Sequence, residues 1–239
     1  MKNKIAFFMT AALLLCLFSG CGDKTQRMLD NAQAGDIISF GSYEQDNDAG
    51  NGKEPIEWRV MSRQEDRLLL LSDKALDCIP YHEELISVSW EDCSLRAWLA
   101  NDFMETAFNE KEKEKILETV NKNPGNSDYL IPDQADTLDK VFLLNTHEID
   151  AYFGTEIGVT SINPDIVVWP TEYAKAKGAE LRRDGACMWY YRGNSVPATV
   201  EKYKAPAVDD LGKHFNAGRS VTSTSVGIRP AIWVKITSK

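Results

Sequence analysis

Paired cysteines, clustered histidines and an excess of positive charge are all missing from this 239-residue chain, and each absence removes a class of function. Its five cysteines, Cys16, Cys21, Cys78, Cys93 and Cys187, form no C-x-x-C pair and no zinc-type spacing, which argues against a dithiol redox centre, a zinc site and a disulfide scaffold. Cys78 and Cys93 flank one aromatic segment and are the single pairing worth considering; buried free thiols are the simpler expectation. His82, His147 and His214 never fall at ligand spacing, so no histidine metal centre is expected. With 27 Lys and Arg against 36 Asp and Glu, the formal charge is −9. An acidic chain without a basic patch gives nucleic acid no electrostatic reason to bind. Nucleophile elbows, phosphate-cradling glycine loops and paired catalytic carboxylates in a recognisable setting are absent as well. The expectation is a non-catalytic protein with no metal and no cofactor.

What is present begins at the N-terminus. Lys2 and Lys4 precede an apolar run from Ile5 to Phe18, followed by Ser19-Gly20-Cys21. The run is shorter than the roughly 20 residues that span a bilayer as a helix, and small residues before a cysteine are what lipoprotein processing needs. Residues 1–20 therefore read as a lipoprotein signal peptide and Cys21 as the lipidated residue, which places the protein on the extracytoplasmic face of the bacterial cell membrane. Removing those residues takes two lysines and no acid, so the charge goes from −9 to −11. Residues 21–34 are polar and read as a tether; 35–239 read as one domain, which 43% hydrophobic residues can supply with a core.

Within the domain, Ile56, Trp58 and Val60 alternate with Glu57, Arg59 and Met61 as in a half-buried strand, and Leu68 to Leu71 form a second strand. The acids in Asp46 to Gly52 suggest a calcium loop, but the glycine falls at the wrong position and the stretch is a turn instead. Leu95, Trp98, Leu99, Phe103 and Ala107 predict one amphipathic helix capped by Ser94. Asn109 with Glu112 predicts a capping box opening a charge-rich helix through Leu117. Asn121 to Asp139 reads as a loop whose acids Asp133, Asp136 and Asp139 are solvated. A strand from Val141 to Leu144, a helix from Thr146 to Phe153 and another from Thr171 to Gly178 follow. Strands at both ends with helices between them predict an α+β fold with a mixed, mostly antiparallel sheet.

The stretches G-D-I-I-S-F-G-S-Y from Gly35, I-E-W-R-V from Ile56, W-E-D-C-S-L-R-A-W-L from Trp90, D-K-V-F-L-L from Asp139 and V-G-I-R-P-A-I-W from Val226 resemble a family of exported bacterial proteins known as a domain of unknown function. Where that family usually shows W-W-L-R-S, this chain has Trp189-Tyr190-Tyr191-Arg192-Gly193. More distantly, the order of a W-R strand, a helical middle, a W-x-x-R strand and a closing G-x-R-P strand is similar to the C-type-lectin-like fold of formylglycine-generating enzymes and bacterial surface binders. That resemblance implies paired N- and C-terminal strands and a ligand surface on the loops after the aromatic strand; it transfers no function by itself. The calcium-ligand motif of true lectins is missing, since Glu54-Pro55 is followed by Ile56. The implied function is a lipid-anchored binding module for a glycan, peptide or protein. The alternatives are an enzyme of the formylglycine-generating superfamily with an atypical site, and a structural part of a surface assembly.

Two strands carry the candidate residues. The last, Ser225 to Ile236, places Val226, Ile228, Ile232 and Val234 on one face and Arg229 and Trp233 on the other. Arg229 is expected to tie loops together through carbonyls or the acids Glu57, Asp92 and Asp102, and Trp58, Trp98 and Trp233 are expected in the core. In M-W-Y-Y-R-G-N, Tyr190 and Arg192 share a face, and with Asn194 they form the candidate ligand patch, because tyrosine and arginine concentrate binding energy. The competing reading makes Arg192 the partner of a buried carboxylate.

Overall fold

The computed structural model describes residues 19–125, 132–154, 163–182, 184–193 and 203–237. It opens with helix α1 (Ser19–Asn31), then strands β1 (Ile37–Tyr43), β2 (Glu54–Arg63), β3 (Arg67–Ser72) and β4 (Asp77–Cys78). Short helices α2 (Ser94–Trp98), α3 (Met104–Ala107) and α4 (Glu110–Lys113) lead to β5 (Ile116–Leu117), β6 (Thr119–Asn121), β7 (Thr137–Asp139) and β8 (Val141–Phe142). Helices α5 (Thr146–Phe153) and α6 (Glu172–Lys177) precede β9 (Trp189–Tyr190), β10 (Lys204–Val208), β11 (His214–Ser220), β12 (Gly227–Ile228) and β13 (Ala231–Lys235).

The protein is α+β, with almost every strand pair antiparallel. One sheet runs β1-β2-β3-β13-β5, with β8 also on β13; a second runs β11-β10-β9-β12-β4 and contains the one parallel pair among the described strands, β9 with β12. The alternation of β2 becomes burial: Ile56, Trp58 and Val60 are inside, Glu57 is outside, and Arg59 and Met61 are half-buried. Trp58 and Trp233 lie in the core, Trp58 donating from Nε1 to the Phe40 carbonyl at 2.6 Å. Trp98 is half-buried against Phe103, with ring centroids 5.5 Å apart. Cys78, Cys93 and Cys187 are free and buried.

Five sequence expectations change. The segment read as a tether is helical, and Leu29 and Ala32 bury themselves against the body, because apolar groups that can reach a core remain there. The predicted single helix is broken by a π-turn at Leu99–Phe103, and its N-cap is Cys93 rather than Ser94. The charge-rich helix has its capping box but stops at Lys113, since Ile116 and Leu117 gain more by pairing with β13. The loop to Asp139 contains the β6–β7 ribbon, and Asp139 is buried against Arg96 at 2.6 Å rather than solvated. The C-terminal strand shares a sheet with β1 but pairs with β3, β5 and β8.

The closing strand is also not one strand. β12 belongs to the second sheet and β13 to the first, and the chain crosses between them at Arg229-Pro230. Proline has no N–H for a ladder, which ends one strand before the next begins. Both faces of the segment are therefore covered: every residue from Val226 to Val234 is buried.

Candidate functional site

Tyr190 and Arg192 do not form an exposed patch. Tyr190 is fully buried in β9, its hydroxyl donating to the Ser220 carbonyl at 3.0 Å. Arg192 is 1% exposed. Its Nε donates to Asn123 Oδ1 at 3.0 Å, Nη1 to the Leu143 carbonyl and to Glu148 Oε2 at 2.7 Å, and Nη2 to Glu148 Oε1 at 2.9 Å. Each guanidinium nitrogen has an acceptor, so the side chain is a clasp between the 122–123 segment and the start of α5. Glu148 serves twice, because it also closes the capping box of α5 with Asn145. The cause is that β9 lies inside its sheet, between β10 and β12, and every residue from Trp189 to Arg192 is buried. Asn194 lies outside the described residues, and Cys21 falls within α1.

Arg229 is buried to 2% exposure and is answered differently. Its Nε donates to the Ser72 carbonyl at 2.8 Å, while Nη1 is buried with no hydrogen-bond partner among the described residues. None of Glu57, Asp92 or Asp102 pairs with it. Two rings hold the guanidinium, Trp189 at 5.2 Å and Phe153 at 5.9 Å from the centroid. Burial pulls its pKa down to about 10, with Asp73 opposing and Arg59 assisting the shift; at neutral pH it remains a cation.

Arg229 sits at one boundary of a cleft of about 450 Å³, walled by Tyr152, Phe153 and Trp169 and edged by Arg59 and Asp73. Arg59 reaches it because β2 puts that residue on the face opposite Trp58, where it pairs with Asp73 at 3.0 Å. Tyr152 and Phe153 come from the last turn of α5, which Gly154 ends in the left-handed conformation (φ 65°). Trp169 is 49% exposed, yet it is fixed: its carbonyl accepts from Ala75 N at 3.2 Å and its Nε1 donates to the Asp184 carbonyl at 3.3 Å. The arrangement offers a desolvated cation, aromatic walls and a paired charge at the rim, which is equipment for holding a ligand.

Catalytic equipment is a poorer match. Burial pushes the thiols of Cys78, Cys93 and Cys187 up to about 12, the reverse of an activated nucleophile. His214 bonds Asp150 at 2.9 Å beside the Tyr191 ring, and His82 accepts from the amide of Ser94 at 3.2 Å. Glu44, Asp46 and Glu54 bring oxygens within 4.8 Å of one another. Those oxygens already accept backbone N–H groups of Gln45 and Asp48 at 2.7 to 3.0 Å, so the acids shape their own turn.

Arg229 was legible in the sequence as a structural residue, and the cleft it borders was not. A usable signal was the second face of two strands, where Arg59 and Arg229 both stand. Trp169 and Tyr152 carried none, because each belongs to a segment whose neighbours are remote in sequence. Among the described residues no helix is long and apolar enough to cross a membrane. Residues 65–236 match the family described as Domain of unknown function (DUF6273). No curated protein and no solved structure matches the chain.

Proposed function

The chain belongs to the DUF6273 family, and from that premise we propose that it is a non-catalytic binding module, anchored through Cys21 to the extracytoplasmic face of the membrane, whose ligand enters the cleft beside Arg229. The observation that carries the reading is the orphaned Nη1 of a buried arginine at the boundary of an aromatic cleft. A buried polar group without a partner costs roughly 1–3 kcal/mol, and more when charged. A ligand acceptor entering the cleft would relieve that cost. The C-type-lectin-like architecture is part of the same proposal; two small sheets joined by a closing strand support it.

The test is a glycan and peptide array probed with the full chain in detergent. We expect a hit whose binding falls at least tenfold in Trp169→Ala and stays unchanged in Val120→Ala, an exposed residue outside the cleft. A hit indifferent to Trp169→Ala, or an empty array together with no binding of the small-molecule probes named below, overturns the reading.

A further inference from the structure

We infer that the ligand of the cleft is a small carboxylate carried on a six-membered ring with an apolar face, its carboxylate meeting the guanidinium of Arg229 and its ring lying among Tyr152, Phe153 and Trp169. The inference rests on the binding reading above and narrows it to a chemical class. A guanidinium presents its N–H groups as a planar fork that matches a carboxylate with two parallel bonds. In Arg229 the Nε is already committed to Ser72 and Nη1 is not committed at all. The carboxylate of the fold that borders the same cleft on this side, Asp73, is held by Arg59 at 3.0 Å. The buried cation thus feels Asp73 only at a distance and, among the described residues, has no carboxylate in hydrogen-bond contact.

Size and charge narrow the class further. A cleft of about 450 Å³ lies within the range of small-ligand sites and is too small for a folded partner. Rings pinned at Trp169 and Phe153 present flat apolar surface at little entropic cost. Asp73, paired with Arg59, and Asp165 also line the cleft, so its charges are balanced two against two and a single carboxylate suits it better than a dianion. A uronic acid at the end of a glycan and a free aromatic acid share this chemistry.

Calorimetric titration and thermal unfolding of the full chain in detergent separate the cases, with glucuronate, glucose, benzoate, benzyl alcohol and inorganic phosphate as probes. We expect glucuronate or benzoate to bind and raise the melting temperature, with its neutral counterpart at least tenfold weaker and phosphate weaker than both acids. Arg229→Met should weaken the acid on the order of tenfold to a hundredfold, and Arg229→Lys should fall between, because a point charge cannot make the forked contact. Circular dichroism of each variant checks folding; should Arg229→Met not fold, the comparison of each acid with its neutral counterpart on the parent chain decides alone. Binding of glucuronate points to a glycan terminus, and binding of benzoate to a free aromatic acid. If neither acid binds, if each binds no tighter than its neutral counterpart, or if phosphate binds more tightly than the acids, the inference is wrong. Glucose or benzyl alcohol binding as tightly as the acids, and lost in Trp169→Ala, sinks the carboxylate and leaves the binding module standing. A chain that binds no probe here and nothing on the array loses both.

Discussion

Arg192 and Arg229 are both buried guanidiniums, and they differ in what answers their N–H groups. Around Arg192 stand Glu148, Asn123 and two carbonyls. A cation so enclosed contributes by specifying one arrangement of the chain, and removing it strands the buried Asn123 amide oxygen and Leu143 carbonyl. Arg192→Ala is therefore expected to lose about 3–5 kcal/mol, read as a lower urea midpoint at unchanged slope. A loss below about 1 kcal/mol would show that Glu148, itself partly exposed, finds solvent instead. Arg229 has one carbonyl and two rings, so its removal is expected to matter more to binding than to folding.

At the scale of elements, the helical stretch from Ser94 to Ala107 shows how one residue changes an amphipathic pattern. Leu95 and Leu99 are buried on α-helical spacing, but the next buried positions are Phe103, Met104 and Ala107. An uninterrupted α-helix continuing the first pair would bury 102, 103 and 106. The π-turn at Leu99–Phe103 absorbs the extra residue and keeps Phe103 against Tyr43 and Phe108, at 5.3 and 5.9 Å between centroids. Deleting the exposed Ala100 should therefore give a regular helix with the same side chains inside, within about 1 kcal/mol of the parent. Phe103→Ala should cost about 3–5 kcal/mol. Thermal unfolding of the two variants checks the idea, and a deletion as damaging as the truncation would refute it. β12 is fixed just as tightly: a Cβ on Gly227 would stand 2.7 Å from that of Ala75, so no larger residue fits where β4, β9 and β12 meet.

For the whole molecule, α1 relates the proposed anchor to the cleft. Arg63 donates to the carbonyls of Asp30 at 3.0 Å and Ala32 at 2.7 Å, Asp30 accepts from Thr237 N at 2.7 Å, and Leu29 is buried. The helix is bolted to the body at its C-terminal end, and Ala34 and Gly35 just beyond it line the cleft. Cys21 lies near the other end, about 15 Å away along an α-helix. An acid-rich body has no attraction for anionic headgroups of its own, so attachment should depend on the lipid. Cys21→Ala is expected to move the protein from the membrane pellet to the soluble fraction, and Leu29→Asp to leave it in the pellet while exposing α1 to trypsin after Arg27. A Cys21→Ala chain that pellets like the parent rules out the anchor.

Local chemistry was legible without coordinates. The capping box of Asn109 and Glu112, the bounds of α5, the Thr171 cap and Gly178 stop of α6, and the alternation of β2 all rest on interactions within about four residues or on the twofold period of a strand. Which face of a strand is covered is a different kind of question, because the cover comes from elsewhere in the chain. Alternation separated Tyr190 and Arg192 from their neighbours, but packing on both sides of β9 buried them all. Tertiary structure alone decided that the last strand crosses between sheets at Pro230, and that Arg59, Tyr152, Trp169 and Arg229, spread over 170 positions of sequence, border one cleft. Caps and periods are fixed by the chain's immediate neighbours, whereas a site with one unanswered cation exists only where distant segments close around it.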